Sequence, residues 1–157
     1  MKTDKWGLYE YSVVLFFMAA PAAAILIEQL ITGADWLTSV FKWFVFFGIG
    51  CRLGTAGINQ MIRPQFTAKE IFKMTTDEAA PIVREIGFAN VCFGLIAILS
   101  LFIPSFRIPA AVAGGLYFGL AGLLHVFKQR ETASEVFAMV SDFFIFAVLT
   151  VLLLLNL

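Results

Sequence analysis

The chain has 157 residues, of which 61% are hydrophobic and 14% charged, with mean hydropathy +0.91 and a formal net charge of zero. A soluble domain is nearer half apolar and a quarter charged, so this composition excludes an ordinary soluble core and indicates a polytopic membrane protein. Balanced charge, with no basic run and no glycine-rich phosphate loop, argues against a nucleic-acid partner.

Residues 1–7 are polar, with Lys2, Asp4 and Lys5. Apolar sequence then runs over 8–31, enough to span roughly 30 Å of hydrocarbon. The basic start and Ala22-Ala23-Ala24 resemble a signal peptide, but the length of the apolar run favours an uncleaved anchor. Pro21 is expected to kink this helix. At 100° per residue Glu10, Phe17, Pro21, Ala24 and Glu28 share one face, which puts the two acids near opposite membrane surfaces. A turn at Thr32 to Asp35, containing Gly33, leads to the second span, 36–62, which Pro64 closes.

The second span carries the polar centre. Gly48, Arg52, Thr55 and Asn59 share one face and Gly50, Gly54 and Gly57 the opposite one. Such a helix is expected to have protein on both sides.

Residues 63–84 form the long polar connection. Thr67 and Glu70 have capping-box spacing for a short helix, and Ile71, Phe72 and Met74 would let that helix lie on the membrane surface. The other reading is an ordinary loop. In the third span, 85–103, Gly87, Asn90, Gly94 and Ala97 make one narrow face. In the fourth, 108–127, Gly115, Gly119 and Gly122 form a small-residue face with His125 beside its end. In the fifth, 134–155, Glu135, Ala138, Asp142 and Phe146 share a face. The expectation is one all-α domain of five transmembrane helices.

Basic residues set the orientation. With the N-terminus inside, Lys2, Lys5, Arg63, Lys69, Lys73, Arg84, Lys128 and Arg130 are cytoplasmic, while Arg107 and Lys42 lie towards the other surface. This predicts N-terminus in and C-terminus out.

Arg52 is about ten residues from the end of its helix, hence roughly 15 Å deep, and Asp142 about eight residues into the fifth, hence roughly 12 Å deep. An unpaired charge at the bilayer centre costs about 2.5–3.5 kcal/mol, so an Arg52–Asp142 pair is expected. Asn90 lies slightly nearer the cytoplasm; Asn59, Gln60, Glu85 and His125 lie nearer still. Together they predict a polar cleft open to the cytoplasmic half, with Arg52, Asn59, Asn90, His125 and Asp142 as ligand-binding residues. The competing reading is structural: a buried pair that fixes helix packing, with Asn and His bonding across helices.

Metal chemistry needs several His, Cys or carboxylates at one point. Only Asp142, His125 and Glu85 come near that, so no metal centre is expected. No catalytic triad or paired-carboxylate pattern is visible, which leaves enzyme activity open. Cys51 and Cys92 read as packed thiols. Glu28, Asp35, Lys42 and Arg107 read as a solvated charge ring on the outer surface. The Gly50/Gly54 and Gly115/Gly119 pairs suggest contacts within the bundle, with the glycine face of the second helix as the better dimer seam.

The run Glu85-Ile86-Gly87-Phe88-Ala89-Asn90, followed by Gly94, resembles the central motif of an uncharacterised family of small bacterial integral membrane proteins, distantly similar to DoxX-like helical bundles. The resemblance continues through the fourth helix to His125 and to Asp142, over roughly residues 45–155. Relatives tend to carry Gly-His near the end of the second helix, where this chain has Asn59-Gln60. DoxX-like proteins include a subunit acting on thiosulfate and quinone, so the resemblance implies a quinone-linked role as one possibility.

The expected function is binding or passage of a small amphipathic or anionic molecule. Arg52 would hold an anionic group, Asp142 would orient Arg52 or exchange a proton, and Asn90 and Asn59 would supply hydrogen bonds. The alternatives are a quinone-linked redox subunit and a structural or homo-oligomeric scaffold. No cofactor is expected beyond a quinone or lipid. The outer half, rich in Phe, Leu and Ile, suggests a vestibule rather than a pore.

Overall fold

The first helix begins where the Gly7 N–H meets the Glu10 carboxylate at 2.8 Å. In the computed structural model, which describes residues 7–71, 75–127 and 133–156 apart from the side chains of residues 70, 71 and 134, this helix, α1, runs over Leu8–Thr32. Pro21 lacks an N–H and cannot continue the i to i−4 ladder. A π-helical turn at Leu15–Ala19 stands immediately before it and takes up the break. Gly33, at φ +60°, closes α1 with its N–H on Gln29 O at 3.1 Å.

Asp35 then caps the next helix, accepting the Thr38 N–H at 2.8 Å. That backbone donor holds the Asp35 carboxyl below its usual range. Helix α2 spans Trp36–Ile62, with a π-helical turn at Val45–Cys51 directly before Arg52. Phe41, Val45, Ile49 and Leu53 give it a buried stripe, and α2 touches all four other helices.

Helix α3 spans Ala80–Leu99. It starts and ends earlier than the predicted 85–103. Pro81 suits the first turn of a helix, and Arg84 and Glu85 ride its exposed side instead of marking its start. Ser100, buried and bonded to Ala97 O at 2.7 Å, finishes it. A single 3-10 turn, Pro104–Phe106, leads into α4, Arg107–Phe127, and α5 spans Ala133–Leu155. Among the described residues the chain is thus all-α, with five helices long and apolar enough to cross a membrane. It is a multi-pass membrane protein.

The connection after α2 differs from the capping-box reading. Its helical turn begins at Pro64, and Thr67 opens a π turn, Thr67–Ile71, that continues it. Thr67 and Ala68 are buried, and Ala68 clusters with Ala79 and Val83. Phe72, Met74 and the side chains of Glu70 and Ile71 lie outside the described residues.

Two seams hold the bundle. A Cβ on Gly57 would lie 2.7 Å from Gly87 O, one on Gly87 2.9 Å from Gly57 O, and one on Gly94 2.8 Å from Gly54 N. The backbones of α2 and α3 are therefore in antiparallel contact, with Gly57 opposite Gly87 and Gly50 opposite Ile98. The glycine face of α2 is thus used inside the bundle at Gly50 and Gly57, while Gly54 stays open. On α4, Gly119 and Gly122 receive Phe146 and Phe143 of α5, and Gly114 receives Ile49 of α2.

Candidate functional site

Five polar side chains, one from each helix, approach a common region. They are Tyr9 in the first turn of α1, Arg52 after the π turn of α2, Asn90 on α3, Tyr117 on α4 and Asp142 on α5. The Arg52 guanidinium carbon lies 5.1 Å from the Tyr9 ring centroid, within cation–π range. Because Tyr9 sits at the start of α1, the guanidinium is drawn towards that end of the bundle. The Arg52 and Asp142 charges act on each other and on both tyrosine hydroxyls. The Tyr117 hydroxyl lies beside Asn90, whose Nδ2 donates to Gln60 Oε1 at 2.8 Å. Tyr117 is wedged between rings, 5.8 Å from Phe93 and 5.9 Å from Phe118, and Phe118 meets Phe17 edge-on at 5.4 Å.

Arg52 and Asp142 do not form the direct ion pair that depth alone predicted. The ion pairs among the described residues are Lys42 with Glu28 and Lys69 with Asp77. Arg52 is engaged by the Tyr9 ring instead. Two buried polar atoms near the centre have no hydrogen-bond partner: Arg52 Nε and Asn90 Oδ1. Most buried polar atoms in proteins are bonded, and these two offer one donor and one acceptor.

The predicted polar stripe of α2 divides. Gly48 packs inside against Ile145 and Phe17. Thr55 and Asn59 are exposed, and with Ile58, Ile62 and Arg63 they line a groove of about 310 Å³ on the outside of α2. Arg52, Thr55 and Asn59 all lie in the regular helix beyond the π turn, and it is the long side chain of Arg52 that meets the Tyr9 ring. Asn59 does not join Arg52's partners, whereas Gln60, one step round and three residues beyond Gly57, faces α3. His125 is half-buried in the last turn of α4, roughly 12 Å along the axis from Tyr117 at 1.5 Å per residue. Glu85 is exposed, on the side of α3 away from Gly87 and Asn90, so it lines no cleft.

Of the residues expected to bind a ligand, Arg52, Asn90 and Asp142 converge, while Asn59 and His125 do not. Tyr9 and Tyr117 were missing from the expected set. Their signal was present: a tyrosine inside an apolar span needs a partner for its hydroxyl. Buried Glu10 also acts on Tyr9, linking the site to the start of α1. Among the described residues, no three His, Cys, Asp or Glu side chains could hold a metal ion.

Comparison with known families matches residues 10–157 to a family of unknown function, DUF6790. The chain belongs to DUF6790. The match takes in nearly all of the bundle of this DUF6790 protein, including Arg52, Asn90, Tyr117 and Asp142, and starts one residue after Tyr9. No curated protein and no solved structure matches the chain.

Proposed function

We propose that this DUF6790 protein binds a small amphipathic molecule carrying an anionic or carbonyl oxygen, at the region between Tyr9, Arg52, Asn90, Tyr117 and Asp142. The observation that carries the reading is the unpaired donor and acceptor there, Arg52 Nε and Asn90 Oδ1. A polar cluster that served only to join helices would satisfy its buried atoms, because each one left over costs stability. A ligand oxygen would complete Arg52, and a ligand hydroxyl or amide would complete Asn90. The Tyr9 and Tyr117 hydroxyls would flank the same oxygen, and Asp142 would balance the Arg52 charge or exchange a proton. Phe93, Phe17 and Phe118 would border the apolar part.

The basic residues near the start of α1, the end of α2 and the start of α3 support placing this end in the cytoplasm, with the N-terminus in and the C-terminus out. The resemblance seen in the sequence supports a bacterial inner membrane. Beyond the site, the other half of the core is filled by Phe41, Val45, Leu149 and Leu152, which favours binding over passage. A quinone is the second reading, since a ring carbonyl is an acceptor that Arg52 and two tyrosine hydroxyls would suit. The DoxX-like likeness bears on it at the level of fold alone.

The test is a double-mutant cycle on thermal stability. Arg52→Ala, Asp142→Ala and the double variant are expected to stay folded, with small single losses, because neither side chain is held by the other in a direct ion pair. If each single variant is strongly destabilised and the double is no worse than either, the cluster is structural and the proposal fails.

A further inference from the structure

The opposite end of the bundle holds a second polar cluster. Glu28, in the last turns of α1, accepts from Lys42 Nζ on one carboxylate oxygen and from Trp43 Nε1 on the other, the latter at 2.7 Å. Lys42 Nζ also lies 4.9 Å from the Trp43 ring centroid. The neighbouring Gln29 donates to buried Ser39 at 3.3 Å. The solvated charge ring expected from sequence is therefore largely enclosed: the Lys42 and Glu28 side chains are only 19% and 16% exposed.

Arg107 joins this cluster from the first turn of α4. Its charge and that of Glu28 act on each other, yet no ion pair joins them among the described residues. Both Glu28 oxygens are already engaged, and Arg107 Nε is buried with no partner. Two cations share one carboxylate, so the cluster is formally one positive charge in excess. Asp35 lies at the same end, but it is exposed and committed to the Thr38 N–H.

We propose that Arg107, with Lys42, seats the phosphate of an anionic phospholipid at this membrane surface. A guanidinium is the side chain best shaped for a phosphate oxygen, which it bonds with two parallel N–H groups. The cluster sits at the ends of α1, α2 and α4, level with the headgroups of a bilayer the helices span. Basic pockets between transmembrane helices seat anionic headgroups on the cytoplasmic side of membranes, and the same pairing of guanidinium and phosphate serves at the opposite surface. Around the cluster's end of the bundle the surface is apolar: Leu30 is 87% exposed, Phe102 77% and Trp36 57%. These side chains would take acyl chains, and Trp36 would sit at the interface where tryptophans collect. A soluble anion would have no use for that collar. The site stands apart from the one between Tyr9 and Asp142.

The test is native mass spectrometry of the full chain in detergent, titrated with phosphatidylglycerol or with phosphatidylcholine. The wild type is expected to hold phosphatidylglycerol about fivefold better than phosphatidylcholine, as one surface cation is worth about 1 kcal/mol towards an anionic lipid. Arg107→Gln should erase that preference and Arg107→Lys should keep most of it. Glycerol 3-phosphate at the same concentration should not compete. Equal retention of the two lipids by the wild type would overturn the proposal, even if Arg107→Gln fails to fold. So would full preference in Arg107→Gln. Competition by glycerol 3-phosphate would mean a seat for free anions instead of lipid, and would overturn it too.

Discussion

The two sides of α2 are built on opposite principles. On the side of α3, Gly57, Gly87 and Gly94 bring backbone onto backbone, with no room for one added methyl group. On the side of Tyr9, an arginine and a carboxylate come close without touching, and the buried Arg52 Nε goes unpaired. The contrast shows how a small membrane protein divides its work. Apolar burial does not drive helices together in lipid, where tails are as apolar as leucine, so close packing must do it. A seam this tight fixes α2 against α3 and leaves the polar side free to be incompletely satisfied.

The largest effect should come from spoiling the tight side. Gly94→Ala and Gly57→Ala each force a methyl group to within 3 Å of backbone atoms across the seam. Overpacking of this kind costs about 1–3 kcal/mol, and the thermal midpoint in detergent should fall accordingly. A midpoint unchanged in both variants would mean that the two backbones are not in contact.

A smaller effect is expected where the seam meets the polar side. Asn90→Leu removes the bond to Gln60. Hydrogen bonds between transmembrane helices are worth about 0.6 kcal/mol on average and at most about 1.7. The loss should fall in that range, and Gln60→Leu in the Asn90→Leu background should add little. Additive losses would show that the two side chains act separately.

Gly54→Ala and Asn59→Ala should barely register, within about 0.5 kcal/mol. A Cβ on Gly54 meets nothing within 4 Å, and Asn59 faces outward. Gly54 and Gly94 thus make a sharp pair, the same residue type on facing helices with opposite sensitivity.

The smallest effect concerns acid. The Asp35 carboxyl lies below its usual range because it accepts the Thr38 N–H. Its contribution to the start of α2 is fully present above the ordinary aspartate value of about 3.9 and is lost as pH falls through the lower folded value. Hydrogen exchange at the Thr38 amide, corrected for its intrinsic pH dependence, should accelerate only below that window. Asp35→Asn should keep the cap and remove the pH response.

The five spans were legible because an apolar run of about twenty residues has few other uses. The packing face of α3 was legible too: Gly87, Asn90, Gly94 and Ala97 are all buried, at the 3, 4, 3 spacing the sequence shows. Those residues lie in a regular helix, where counting at 100° works. On α2 the count still groups Arg52 with Asn59, since both lie in the regular helix beyond the π turn. The side chains differ in reach: Arg52 extends to the Tyr9 ring, whereas Asn59, seven residues on, was placed inward and faces out. Depth suggested that Arg52 and Asp142 meet, and their charges do act on each other, but depth says nothing of which ring a guanidinium will lie over. Tyr9 was overlooked because it stands in the first turn of its helix, where a tyrosine usually marks the membrane interface.

Native mass spectrometry of gently extracted wild type beside Arg52→Ala tests the binding site most directly. The account predicts a small non-covalent mass on the wild type that is absent from Arg52→Ala at unchanged helix content. A wild type that flies bare, or a mass held equally by both proteins, would contradict it.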